Sequence, residues 1–422
     1  MNKSTYIFIC LILSVGFWQL SYLQYLLTQD VILVLTWLWA FGAFIFFSSK
    51  SRTVSIYTSK YINYTYYIFA GVLISMFSAY FTWGQSFLRT LITQRYIYSF
   101  ILLPAILYIQ PNESDIIKAL KWISIGTILV WFINAFNPTF VSVDEDSIQL
   151  EKNHEFDIGS YVSGIYFVVL FLYYKIQEYL NKFSWNSFLK AAILLVFLVL
   201  YQNRSLLIGV IPVFIYSLLK FKSKYKIFWI FLIPTILISG IIYSWSIWES
   251  LVDATQNQLN DTEYPRWRAL NYFFNDYSPN WFCLIFGNGM PSIGNSDFGN
   301  LMEDNIDNGI YASDLGMIGM WTIYGLIPLI TIYSVIVKVL KGRLFPLYLK
   351  FICFHVLVVP TIFHFYTNPG IFMFVLIIYL YSYYTEQNKP LPDKANGRSE
   401  RAYFTNVIVF DPDSHDFKPN FE

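Results

Sequence analysis

Residues Phe188 to Lys226 read FLKAAILLVFLVLYQNRSLLIGVIPVFIYSLLKFKSKYK. Two apolar runs, 188–203 and 205–220, meet at Tyr201-Gln202-Asn203-Arg204-Ser205, and the second ends in Lys220, Lys222, Lys224 and Lys226. One continuous helix would carry Arg204 at the centre of a hydrocarbon layer, where a charge is costly, and would invert the charge pattern on one side of it. A hairpin instead puts Arg204 at one surface and the lysines at the other, as orientation by basic residues requires. The bilayer is the expected solvent for this stretch.

Outward from the hairpin, the same pattern repeats. Apolar runs long enough to span, about 17 to 25 residues with some shorter ones tolerated, lie near 5–27, 31–48, 64–83, 96–110, 119–136 and 159–174. Beyond the hairpin they recur near 227–246, 312–337, 345–366 and 370–385, which makes twelve in all. Lys3 precedes the first run, which is too long for a signal-peptide core and is expected to be the first spanning helix. The expected fold is all-α and polytopic, with a transmembrane domain over 1–386 and a flexible cytoplasmic tail over 387–422.

An even number of spans places both termini on one side, and the connectors choose the cytoplasmic side. They carry Lys50, Arg52, Lys60, Lys118, Lys121, Lys175, Lys182, Lys338, Lys341 and Arg343. Of 28 Lys and Arg, all but Arg89, Arg95, Lys152, Arg204, Arg266 and Arg268 then fall inside. The sizeable outer loops are 137–158 and 247–311.

Composition agrees, with 56% hydrophobic, 13% charged and 21% aromatic residues, including 34 Tyr and 40 Phe. Mean hydropathy is +0.47. Such values lie far from a soluble domain, and the aromatics suit the headgroup region. A net charge of +1 gives nucleic-acid binding no support. Cys10, Cys283 and Cys353 are far apart and suggest neither a disulfide framework nor a thiolate metal site. No zinc-ligand spacing, Walker A loop or nucleophile elbow occurs.

The outer cations differ in kind as well as number, being arginine at every position except Lys152. A planar guanidinium grips phosphate through two parallel hydrogen bonds, whereas lysine is a mobile point charge. Outer arginines therefore point to a phosphate or pyrophosphate ligand. Arg89 and Arg95 flank an amphipathic stretch that serves equally well as an interfacial anchor. Arg204, squeezed between two apolar helices, is the stronger candidate for function.

The long loop carries Glu263-Tyr264-Pro265-Arg266-Trp267-Arg268-Ala269-Leu270-Asn271-Tyr272-Phe273-Phe274, then Phe286-Gly287-Asn288-Gly289. Trp267 and Tyr272 beside arginine suit sugar rings and phosphate headgroups, and interfacial anchoring is the alternative. Its aromatic density argues against disorder. Gly287-Asn288-Gly289 reads as a turn. Ser313 or Asp314 is expected to cap the following helix, with catalysis by Asp314 the minority reading. Glu303, Asp304 and Asp307 offer a general base or only surface charge. His364, near the outer end of its run, is a substrate-site candidate or a hydrogen-bonded interfacial histidine.

Asn203-Arg204-Ser205, Arg266 or Arg268 with the aromatic run to Phe274, Phe286-Gly287-Asn288-Gly289, and Ser313-Asp314-Leu315-Gly316 with Ile318-Gly319 occur in this order over residues 188–330. The pattern resembles the bacterial O-antigen polymerase and O-antigen ligase superfamily. Ligases of that superfamily carry a histidine just before the helix that begins here near Ala312, and this chain has none between His154 and His355. The resemblance thus favours a polymerase.

It implies a metal- and cofactor-independent glycosyltransferase, similar to GT-C-type membrane enzymes, in the bacterial inner membrane. The donor would be a glycan on undecaprenyl pyrophosphate, attacked by a hydroxyl of a second lipid-linked unit. Arginines would stabilise the departing pyrophosphate. Arg204, Arg268, Arg266 and Asp314 would form the catalytic set, and Arg89, Arg95, Trp267, Tyr272 and His364 would contact substrate. Membrane lipids, a chain-length regulator and a flippase of the same pathway are the partners implied. The competing class is a lipid-linked oligosaccharide flippase. Against it, apart from His355, and Lys350 near the cytoplasmic end, no ionisable side chain lies deep within an expected span, whereas ion-coupled transport places charges at mid-membrane.

Overall fold

A computed structural model describes residues 1–24, 26–47, 57–137, 139–141, 162–182, 184–201, 204–220, 265–359 and 368–387. They belong to one compact unit, Met1–Gln387. The expected span at 227–246, most of the 137–158 loop, the first part of the 247–311 loop, and the tail beyond Gln387 lie outside them. The described residues form helices and turns, with one isolated antiparallel bridge, Leu20–Val141.

The first half of the chain contains α1 (Lys3–Ser14), α2 (Ser21–Gln24), α3 (Gln29–Phe46), α4 (Tyr57–Trp83), α5 (Phe87–Thr93), α6 (Leu102–Ile109) and α7 (Glu113–Phe136). Next come α8 (Ile165–Asn181), α9 (Trp185–Leu200) and α10 (Arg204–Lys220). The last part holds α11 (Pro265–Asn275), α12 (Trp281–Phe286), α13 (Asp297–Asp307), α14 (Met317–Tyr324), α15 (Leu326–Lys341), α16 (Leu347–Val358) and α17 (Asn368–Gln387).

Local chemistry starts these helices. Thr28 caps α3, accepting from the Val31 amide, and Asp30 adds negative charge to its first turn. Asn112 and Asp115 form a reciprocal capping box at the head of α7.

Three described helices are long and apolar enough to cross a membrane, Gln29–Phe46, Lys60–Trp83 and Glu113–Phe136. A fourth crossing is available if Phe87–Thr93 and Arg95–Ile109, bent by 68°, act together. Their exteriors are as apolar as their buried faces. Leu38, Phe41 and Ile45 on α3, Leu73, Phe77 and Phe81 on α4, and Leu129, Phe132 and Phe136 on α7 are all exposed. Helices that are apolar all round suit a lipid solvent, and water would penalise patches of this extent.

Contacts fix the directions of the helices. The Lys3 ammonium donates to the Gln110 carbonyl (2.8 Å) and Trp18 Nε1 to Thr127 Oγ1 (2.9 Å), so α1 runs alongside α7. Ser187 Oγ donates to Glu178 Oε2 (2.8 Å) and the Tyr201 hydroxyl reaches Val162 (3.4 Å), so α9 runs against α8. The Tyr348 amide donates to Gln177 Oε1 (2.9 Å), and Tyr173 and His355 share a hydrogen bond of 2.7 Å, so α16 also runs against α8.

Gly209 packs on the His355 ring and Tyr216 faces Phe351, which sets α10 against α16. Hence α9 and α10 run in opposite directions, and the chain reverses between Leu200 and Arg204 as the hairpin reading expects. Ser99 Oγ meets Asn368 (2.9 Å), and Tyr61 meets Glu386 (2.7 Å), so Lys3 and Gln387 lie at one end of the bundle. We call that end the base and the opposite end, which carries Trp83 and Arg204, the crown.

Three expected spans are interrupted. The first helix stops at Ser14, and Gly16–Gln19 forms a 3-10 turn in which Phe17, Trp18 and Gln19 have φ of 52°, 58° and 54°. The turn swings the Trp18 indole onto Gly126, where a Cβ would lie 2.5 Å from the ring. The 96–110 run begins as a 3-10 helix, Arg95–Ile101, before α6. The 312–337 run is a 3-10 turn, Ala312–Leu315, followed by α14 and α15, with breaks at Gly316 and Gly325. The N-cap of α14 is Gly316, so neither Ser313 nor Asp314 occupies the capping position expected of it.

Candidate functional site

The crown is built on α4, whose last residue is Trp83, and on the turn and short helix that follow. In α5 and the residues that flank it the usual amphipathic order is reversed. Gln85, Thr90 and Gln94 are buried, whereas Leu88, Leu91 and Ile92 are exposed. Amides turned inward find partners that an apolar exterior would not supply.

Gln85 shows how fully this is done. Its Nε2 donates to Thr90 Oγ1 and to the Met290 carbonyl, both at 2.8 Å. Its Oε1 accepts from the Ser292 amide and Ser296 Oγ, also at 2.8 Å. All the capacity of the side-chain amide is used, and the long loop is thereby tied to the end of α4.

Asn288 makes the second tie. Its Oδ1 accepts from Trp83 Nε1 (3.0 Å), and its Nδ2 donates to Ser278 Oγ (3.1 Å) and the Thr322 carbonyl (3.2 Å). The Asn288 and Gly289 amides donate to the carbonyls of Thr322 (2.8 Å) and Ile323 (2.9 Å). Gly287 has φ of 82°, and a Cβ there would sit 2.3 Å from the Ile323 carbonyl oxygen. Gly287-Asn288-Gly289 is thus a buried strap laid along the break between α14 and α15, beyond the simple turn expected of it.

Above the strap, Ala269, Phe273, Tyr277, Phe298, Met302, Ile310 and Leu315 form a small apolar core of their own. Trp83 stacks on Phe298 with centroids 4.6 Å apart. Pro265 opens α11, as suits a residue with no amide to satisfy at a helix start. Ala269 and Phe273, four residues apart, face this core, which leaves Arg266 and Trp267 exposed and Arg268 half-buried. Tyr272 accepts from Asn305 Nδ2 (3.0 Å). Burial pushes the Tyr272 and Tyr277 phenols up, so both stay neutral, and Tyr272 serves as a hydrogen-bonding group and not a base. Glu303, Asp304 and Asp307 are exposed on α13.

The sequence-predicted residues fall into distinct groups. Arg266, Trp267, Arg268 and Tyr272 share α11, which packs against the Ala312–Leu315 turn that contains Asp314. Arg204 opens α10 at the crown. The side chains of Arg204 and Asp314, and His364 entirely, lie outside the described residues. Arg89 is exposed on α5. Arg95 is committed to an ion pair, its Nε 2.6 Å from Asp30 Oδ1, and its guanidinium lies over the Tyr96 ring at 5.1 Å.

Most of the described arginines gather at one end. Arg89, Arg95, Arg204, Arg266 and Arg268 belong to the crown, while Lys3, Lys175, Lys182, Lys338, Lys341 and Arg343 lie toward the base. The arrangement offers an arginine- and aromatic-bearing surface on a rigid support, suited to anions. Sequence reasoning missed the support itself: Trp83, Gln85, Thr90 and Asn288. The available signal was a pair of amide side chains, Gln85 and Gln94, at the two ends of a short amphipathic stretch. No family model, curated protein or solved structure matches this chain.

Proposed function

We propose that this protein polymerises lipid-linked oligosaccharide repeat units, as a GT-C-type membrane glycosyltransferase with about twelve spans. In this reading the crown faces the outside of the inner membrane and the base faces the cytoplasm. The observation that carries it is the gathering of Arg89, Arg95, Arg204, Arg266 and Arg268 at the crown beside an aromatic helix, α11, held by its own small core.

A glycan on undecaprenyl pyrophosphate is the donor. A hydroxyl of a second unit attacks its anomeric carbon, the bond to pyrophosphate breaks, and the hydroxyl proton leaves to a base or water. Arg204 with Arg268, or Arg266, stabilises the charge that develops on the leaving pyrophosphate. Trp267 and Tyr272 line the sugar path.

Lysine keeps the charge but loses the fork geometry. Arg204→Lys and Arg268→Lys should therefore each slow polymer formation roughly a hundredfold, equivalent to about 2 to 4 kcal/mol of transition-state stabilisation. Lys152→Ala should change it little. The measurement is chain length and yield from purified protein in proteoliposomes with lipid-linked units and no added metal or nucleotide. Normal polymer from both arginine variants would remove the clamp, and translocation of units without joining them would make the protein a flippase.

A further inference from the structure

A groove of about 470 Å³ opens on the side of the crown between α3 and the bent α5 segment. Leu33, Val34, Leu91 and Ile92 form its walls, and Asp30 and Arg95 stand at its mouth. Val34, Leu91 and Ile92 are also exposed to the bundle exterior, so the groove is continuous with the surface that lipid chains would cover. Trp37 and Tyr98 complete the lining, and their Nε1 and hydroxyl are buried without a hydrogen-bond partner among the described residues. Leaving such donors unsatisfied is costly.

The charges at the mouth choose the headgroup. Arg95 and Asp30 form a pair of opposite charges, and the carboxylate, in the first turn of α3, is favoured by the helix dipole. A ligand with net negative charge, whether a pyrophosphate or an anionic glycerolipid, would meet repulsion from Asp30. A zwitterion meets both charges with its complement. We propose that this groove binds one glycerophospholipid with a phosphoethanolamine headgroup. Its phosphate lies on Arg95, its primary ammonium donates to Asp30, an ester oxygen accepts from Trp37 or Tyr98, and one acyl chain fills the apolar walls.

This inference is independent of the polymerase reading, because it concerns a lipid that is bound and not consumed. It is tested on the full-length chain, delipidated and titrated with phosphatidylethanolamine or phosphatidylglycerol of identical acyl chains. Lipid retention is read by native mass spectrometry and stability by thermal midpoint. Phosphatidylethanolamine should bind at least about tenfold more tightly, a difference of about 1.4 kcal/mol. Asp30→Asn should erase that preference. Ile92→Trp, at a position 55% exposed and away from the ion pair, should fill the groove and weaken both lipids while the protein stays monodisperse.

Equal binding of the two lipids by the unsubstituted protein would overturn the proposal. A preference that survives Asp30→Asn would do the same, as would binding untouched by Ile92→Trp or stronger retention of a prenyl phosphate. If Asp30→Asn fails to fold, Ile92→Trp with the headgroup comparison still decides.

Discussion

At the crown, Asn288 and Gln85 divide their side-chain amide hydrogen bonds between side chains and the backbone of the long loop and of α14, and Gly287 lies where no side chain fits. At the base, tyrosine hydroxyls make the ties instead. Tyr61 donates to Glu386 (2.7 Å), Tyr379 to the Pro111 carbonyl (2.5 Å), and Lys338 donates to Tyr64 (3.3 Å). A tyrosine that loses its hydroxyl keeps its packed ring, so the base can lose one polar contact at a time. A backbone strap has no such reserve. The difference suits a crown that must hold a loop surface in place and a base that only closes the bundle.

The contrast breaks hardest at Gly287. Gly287→Ala combines a left-handed backbone with a Cβ 2.3 Å from a carbonyl oxygen. It should cost about 2 to 5 kcal/mol, read as loss of the monodisperse peak or a large fall in thermal midpoint. Equal behaviour of Gly287→Ala and the unsubstituted protein would mean that the strap is not seated on the α14–α15 break.

Next in size is Asn288→Ala, which leaves the half-buried Trp83 indole and Ser278 hydroxyl without this partner. With both groups half-buried, the loss should be about 1 to 2 kcal/mol in all, enough to lower the midpoint and expose the long loop to limited proteolysis. Asn288→Asp, which retains only the acceptor, should fall between the two.

The smallest effect belongs to the base and is set by pH. Burial raises the Glu178 carboxyl, but hydrogen bonds from Lys175 and Ser187, with the charges of Lys175 and Lys190, outweigh it and hold the group below its ordinary 4.5. A depressed acid stabilises the fold above its unfolded value and loses that contribution as pH falls through the folded one. Glu178→Gln should therefore lower stability near neutrality by under about 1 kcal/mol, since the pair is partly exposed. The gap should close below pH 4.5. A gap that widened in acid would reverse the assignment.

How much of this was legible beforehand differs by region. The α9–α10 reversal followed from a single arginine between two apolar runs, because burying that charge is expensive enough to decide the local path. The stretch from Arg268 to Phe274 reads as the start of a helix, and the structure opens that helix earlier, at Pro265. The interruptions at Ser14 and Gly325 were not, because hydropathy averages over a window and does not register where a helix yields to a packed indole or a crossing backbone. Gly287-Asn288-Gly289 looked like a turn, since its partners at Thr322 and Ile323 are distant in sequence. Arg95 looked like a phosphate ligand because Asp30, its partner, lies on another helix.

The sequence by itself determined the helical class, the presence of helices apolar enough to cross a membrane, and which end gathers most of the arginines. These follow from transfer free energies that each residue carries wherever it sits. Only the tertiary structure decided which amides are buried and paired, which arginine is already neutralised, and which glycines accept another backbone at contact distance. Those are properties of pairs of residues far apart in the chain, and no single position encodes them.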